Sequence, residues 1–149
     1  MAVEITRLGA GTKYPTAALR QIAETLLRAV KQGRAELSIA LVGDREMRPL
    51  NAKYRRKNKT TDVLSFFVED QPPFGAKILG DVVISVEQAR RQAKERGKSL
   101  KSEMATLVIH GIVHLLGYDH EKSPRQAKIM FAYERKLYAL LCDRGFLKV

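Results

Sequence analysis

Polar and apolar positions first alternate at Val3 and Ile5 within AVEITRL, the period of two that a short strand shows. Then the period lengthens. Leu19, Ile22, Ala23, Leu26 and Val30 recur at helical spacing after Pro15, with Thr16 placed as N-cap and Gly33 closing the segment. Residues 35–42, AELSIALV, are apolar at nearly every position, which predicts a central strand covered on both faces. Asp44 stands as the cap of a second helix to about Arg55, and the polar loop KNKTT leads to an apolar strand over 62–68. Helix-length crossovers predict parallel neighbours with right-handed connections. The next connection, QPPFGAK, is too short for a crossover, so ILGDVVIS is predicted to pair antiparallel.

The second half reads as helices. Residues 86–96 form a basic helix stopped at Gly97, Ser99 caps an apolar helix to Leu116, and Ser123 with Pro124 opens the last. On that last helix Met130, Tyr133, Leu137 and Leu141 share a face, and Gly145 follows its end. The Ser99 helix carries large hydrophobes on nearly every side, which predicts burial in mid-domain. The expected fold class is α/β (α+β): a small mixed four-stranded sheet packed with about five helices, one domain over 1–149. No repeat, low-complexity tract or Gly/Ser/Pro-rich linker divides it.

A length of 149 residues suffices for one hydrophobic core, and 45% hydrophobic with 29% charged residues excludes a disordered or a membrane chain. Cys142 is the single cysteine, so an intramolecular disulfide and a Cys-based zinc site are excluded. The start, MAVEITRLGAG, lacks the apolar core of a secretory signal, and the expected location is cytoplasmic, with no membrane association. Charge adds a direction. Twenty-seven Lys and Arg against 16 Asp and Glu leave +11, a field that favours a polyanionic partner. It is clustered, in KYRRKNK over 53–59 and RRQAKERGKSLK over 90–101.

All three histidines fall within HGIVHLLGYDH, as His110, His114 and His120. Four residues apart on a predicted helix, His110 and His114 leave the same face one turn apart. Gly117 can take the left-handed conformation that ends a helix, and the return through Tyr118 and Asp119 can aim His120 at the same point. Three neutral nitrogens suit one Zn²⁺ and leave a place for water, the arrangement of catalytic zinc; a structural metal closed by Asp119 or Glu121 is the alternative. The spacing follows the HExxHxxGxxH pattern of metzincin peptidases except at Gly111, where the peptidase has its general-base glutamate. Peptidase is therefore the second reading.

The motifs RPLNAKYR (48–55), TDVLSF (61–66), LGDVVIS (79–85), HGIVHLLGYDH (110–120) and MFAYE (130–134) resemble, in order, those of the YbeY family of rRNA-maturation endoribonucleases. The family commonly has proline where this chain has Thr60 and Phe67. The resemblance implies a single-domain, zinc-dependent endoribonuclease directed at single strands. It implies action at the 16S rRNA 3′ end and in ribosome quality control on the small subunit. A ribosomal protein and a ribosome-associated GTPase are the partners it suggests. It also implies His110, His114 and His120 as ligands and Arg55 as the functional arginine. Independently, a guanidinium suits the charge that builds on a phosphodiester, with Lys53, Arg56, Lys57 and Lys59 as flanking RNA contacts. A non-catalytic, RNA-binding assembly factor with a structural metal is a third reading. Phe66 and Phe67 are expected in the core and Phe74, in the Pro/Gly loop, is the aromatic placed for base stacking. Glu103, Asp119 and Glu121 are candidate bases, and Asp81 is left without a role.

Overall fold

The computed structural model describes residues 3–148; Ala2, at the head of the predicted first strand, lies outside them. The elements are β1 (Val3–Arg7), α1 (Ala17–Ala29), β2 (Glu36–Val42), α2 (Asp44–Arg55), β3 (Val63–Phe66), β4 (Ile78–Ser85), α3 (Val86–Glu95), α4 (Leu100–Leu115) and α5 (Pro124–Asp143). A 3-10 turn over Gly9–Lys13 was not announced by the hydrophobic pattern. Among the described residues no helix is long and apolar enough to cross a membrane.

The sheet is mixed and four-stranded, in the order β1-β2-β4-β3, with β1, β2 and β4 parallel and β3 antiparallel to β4. The predicted β3/β4 pairing is present, and α1 makes the expected parallel crossover. The crossover rule fails for β2–α2–β3, because β4 inserts between those strands and β3 runs the opposite way. The reason lies in length and burial. β4 is eight residues long and mostly buried, which suits an interior position, whereas β3 has four residues with Ser65 and Phe66 half-buried and takes the edge. β3 also stops short of the predicted 62–68. At the next position the chain would face Gly80, where β4 takes φ +147° and a Cβ would lie 2.4 Å from the Phe66 carbonyl oxygen.

Leu37, Ile39 and Leu41 of β2 with Val82 and Ile84 of β4 belong to the main core, beneath α1 and α4. On the other face Val42, Leu64 and Val83 pack on Met47 of α2. Ser38 and Ala40 stay half-exposed, so β2 is fully covered on both faces only near its end. α4 is central as predicted, with eleven of its sixteen residues buried. Ser99 and Ser123 cap α4 and α5, accepting from the Ser102 and Gln126 amides at 3.0 and 3.1 Å. Thr16 occupies the N-cap of α1 with a helical backbone (ψ −15°) and no side-chain cap. Asp44 lies inside α2; the N-cap is Gly43, whose amide donates to Glu46 Oε1 at 2.8 Å.

Candidate active site

α4 meets the sheet at Gly111. A Cβ there would lie 2.7 Å from Val82 Cγ1, and the Ser65 hydroxyl donates to the Gly111 carbonyl at 3.4 Å. The position that carries glutamate in the peptidase pattern thus points into the sheet and has no room for a side chain. His110 and His114 leave the helix on another side, their rings parallel within 4° and 6.5 Å apart. Past Leu115 the helix ends at Gly117, whose φ of +104° and amide bond to the His114 carbonyl reverse the chain. His120 returns to 5.6 Å from the His110 ring.

His110 donates from Nδ1 to Glu134 Oε2 at 2.7 Å, and His114 from Nδ1 to the Tyr118 carbonyl at 3.1 Å. A carboxylate and a carbonyl both accept, so Nδ1 carries the hydrogen in each ring and Nε2 is the nitrogen left to face a ligand. The Glu134 bond holds the His110 pKa above its ordinary value, against the opposing effects of burial and of the Arg55 charge. His120 Nδ1 is buried without a hydrogen-bond partner among the described residues, and its Nε2 lies 3.9 Å from Glu121 Oε1. Although the three rings adjoin, no three His, Cys, Asp or Glu groups among the described residues stand gathered to hold an ion.

A cleft of about 930 Å³ runs between the end of α2 and the α4/α5 pair. His110, His120 and Arg55 line it, while His114 lies off its wall beside Phe67. Arg55 donates to Glu121 Oε1 at 3.0 Å in an exposed pair. Lys53, Arg56, Lys57 and Lys59 are exposed and do not line the cleft; the basic groups that do, besides Arg55, are Arg96, Lys98, Arg135 and Lys148. Of the candidate bases, Glu103 is fully buried and held by Arg96 and Gln92 at 2.9 Å each. Asp119 accepts from the Glu121 amide. Asp81 is exposed on the sheet face away from α4.

Three contributors went unread in the sequence. Glu134 was visible only as part of MFAYE, and Asp62, which lines the cleft and acts on His110 through its charge, sits in TDVLSF. Phe67, expected in the core, is 55% exposed with its ring 5.7 Å from that of His114; Phe66 is half-buried as part of the second cluster, and Phe74 stands 89% exposed in its loop.

The profile of Endoribonuclease YbeY matches residues 6–141. The chain is 38% identical to Endoribonuclease YbeY of Geobacter sulfurreducens, covering 97% of this chain and 99% of that one. It is 41% identical to that of Persephonella marina, covering 80% and 79%, and 53% identical to that of Aquifex aeolicus, covering 71% and 70%. The solution structure of a Thermotoga maritima protein, 28% identical, superposes with a TM-score of 0.65 over 95% of this chain and 91% of that one. Matching nearly end to end in sequence, and in fold as well, the chain belongs to the YbeY family of endoribonucleases.

Proposed function

We propose that this chain is a metal-dependent endoribonuclease directed at single-stranded RNA, with one Zn²⁺ held by His110, His114 and His120. The reading is carried by one observation: His110 and His114 each have Nδ1 engaged, by Glu134 and by the Tyr118 carbonyl, as imidazole ligands of metals do. His120, on the turn after Gly117 with its buried Nδ1 unpartnered, is the member left to complete the set. When bound, an ion on three nitrogens supplies Lewis acidity and an activated water.

The chain's own groups do the remaining work. Glu134 orients His110 and makes it a better donor. Arg55 faces the same cleft, and its fork can meet two phosphate oxygens as charge builds on them. Its pair with Glu121 is solvent-exposed and therefore cheap to exchange for phosphate. Lys53, Arg56, Lys57 and Lys59 hold the RNA backbone outside the cleft. The expected setting is maturation of the 16S rRNA 3′ end and ribosome quality control, on the small subunit in the cytoplasm. A ribosomal protein and a ribosome-associated GTPase are the proposed partners.

The test is to incubate chelated and zinc-restored protein with structured rRNA and, in parallel, with casein. RNA cleavage should vanish on chelation and return with zinc, and casein should stay intact. Arg55→Glu should lower cleavage about 100- to 1,000-fold with metal content preserved. His114→Ala should abolish it with the melting transition retained. Wild-type cleavage in both variants, or digestion of casein, overturns the reading; salt-sensitive RNA binding without turnover identifies an assembly factor instead.

A further inference from the structure

Five aromatic rings adjoin one after another at the candidate site. Phe67 lies 5.7 Å from His114, His114 6.5 Å from His110, His110 5.6 Å from His120, and His120 6.0 Å from Phe131, centroid to centroid. The imidazoles form the middle and a phenyl closes each end. Both phenyls are large apolar groups left in water, Phe67 at 55% and Phe131 at 44% exposure. The other exposed aromatics differ in setting. Tyr54 packs edge-on against Phe66 beneath Lys53, and Phe74 projects from its loop away from any aromatic neighbour among the described residues.

The two phenyls are held by different elements for different reasons. Phe67 is the first residue past β3, released from the sheet where β4 bends at Gly80. Phe131 stands on α5 one turn before Glu134, so the helix that orients His110 also presents this ring to the cleft.

We infer that Phe67 and Phe131 are base-stacking platforms that hold the unpaired nucleotides on either side of the scissile phosphate, making them specificity-determining residues for single-stranded RNA. Every base has a π-face that an exposed phenyl can accept without regard to sequence, whereas duplex bases have theirs occupied. The occupant is fixed as a polyanion by charge: the chain carries +11, and Lys98, Arg135 and Lys148 line the cleft that Phe131 faces, outside any ion pair among the described residues, while Phe67 stands off its wall beside His114. A protein ligand would find Phe131 set in that cationic wall. The inference rests on the endoribonuclease reading and deepens it.

The experiment uses zinc-loaded protein and single-stranded RNA oligonucleotides carrying 2-aminopurine at one position in turn, mixed in a stopped-flow cell and read before turnover. Two positions flanking the cut should be quenched on binding. Phe67→Leu should relieve one and Phe131→Leu the other, each weakening binding about tenfold. Trp in place of either Phe should keep both signals. Leucine preserves apolar cover but has no π-face, so it separates stacking from shielding. An abasic nucleotide at the affected position should cost the same tenfold, with no further loss in the matching Leu variant. Both substitutions are at exposed positions, and melting curves verify the fold.

If the Leu variants keep the quenching, or weaken abasic and intact RNA equally, the platforms are refuted while the nuclease reading stands. Failure of the wild-type protein to bind any of these oligonucleotides overturns both.

Discussion

His110 takes its orientation from Glu134, a carboxylate 24 positions further along the chain, through a bond of 2.7 Å. Replacing Glu134 by Gln keeps an acceptor for Nδ1–H and removes the charge. Zinc affinity, measured in competition with a chromogenic chelator, should fall about 10- to 100-fold; an unchanged affinity would show that Glu134 serves only packing. The histidines themselves were readable, because a four-residue spacing on a helix followed by glycine constrains where three rings can go. Glu134 was not readable from pattern, since its contact arises from the packing of α4 on α5. Phe67 misled for a related reason: LSFFV reads as one apolar strand, and only the bend at Gly80 of the neighbouring strand ends β3 after Phe66.

At the scale of elements, the misread cap of α2 is a junction. Asp44 accepts from Thr60 of the loop before β3, from Ser85 at the end of β4, and from Arg91 of α3, at 2.6 to 2.9 Å. Burial pushes its carboxyl up, but those hydrogen bonds and the Arg91 charge outweigh burial and hold it below its ordinary value. A carboxyl whose folded pKa is depressed stabilises the fold above its unfolded value of about 3.9 and loses that contribution as pH falls through the folded value. Asp44→Asn should therefore cost on the order of 1–3 kcal/mol at neutral pH. Wild-type and variant melting curves should converge below that window. A gap that persisted into strong acid would assign Asp44 a role in packing alone. Strand order was beyond the sequence on the same grounds: α2 offers a crossover, but the greater burial available to β4 decides which strand sits beside β2. By contrast α4 announced its central place, because a helix apolar on nearly every side has nowhere else to go.

Over the whole molecule, the excess of +11 is distributed so that one wall of the cleft, formed by the α3–α4 turn and α5, carries Lys98 and Arg135. Each phosphate neutralised on a single strand contributes about −0.7 to the slope of log affinity against log salt. Exchanging both residues for Glu should make that slope shallower by about 1.4 in a filter-binding titration; an unaltered slope would place the RNA backbone elsewhere. The tight seat of α4 against β4 bears on how freely such a scaffold can be repurposed. A glutamate at 111, as the peptidase pattern has it, would point into the sheet and collide with Val82, so even to seat that side chain a smaller residue is needed at 82 in the same step. Neither replacement helps without the other, since shrinking 82 alone opens a void under the helix. Laboratory evolution by single substitutions should accordingly find that route closed, and a designer would have to enter it with the pair.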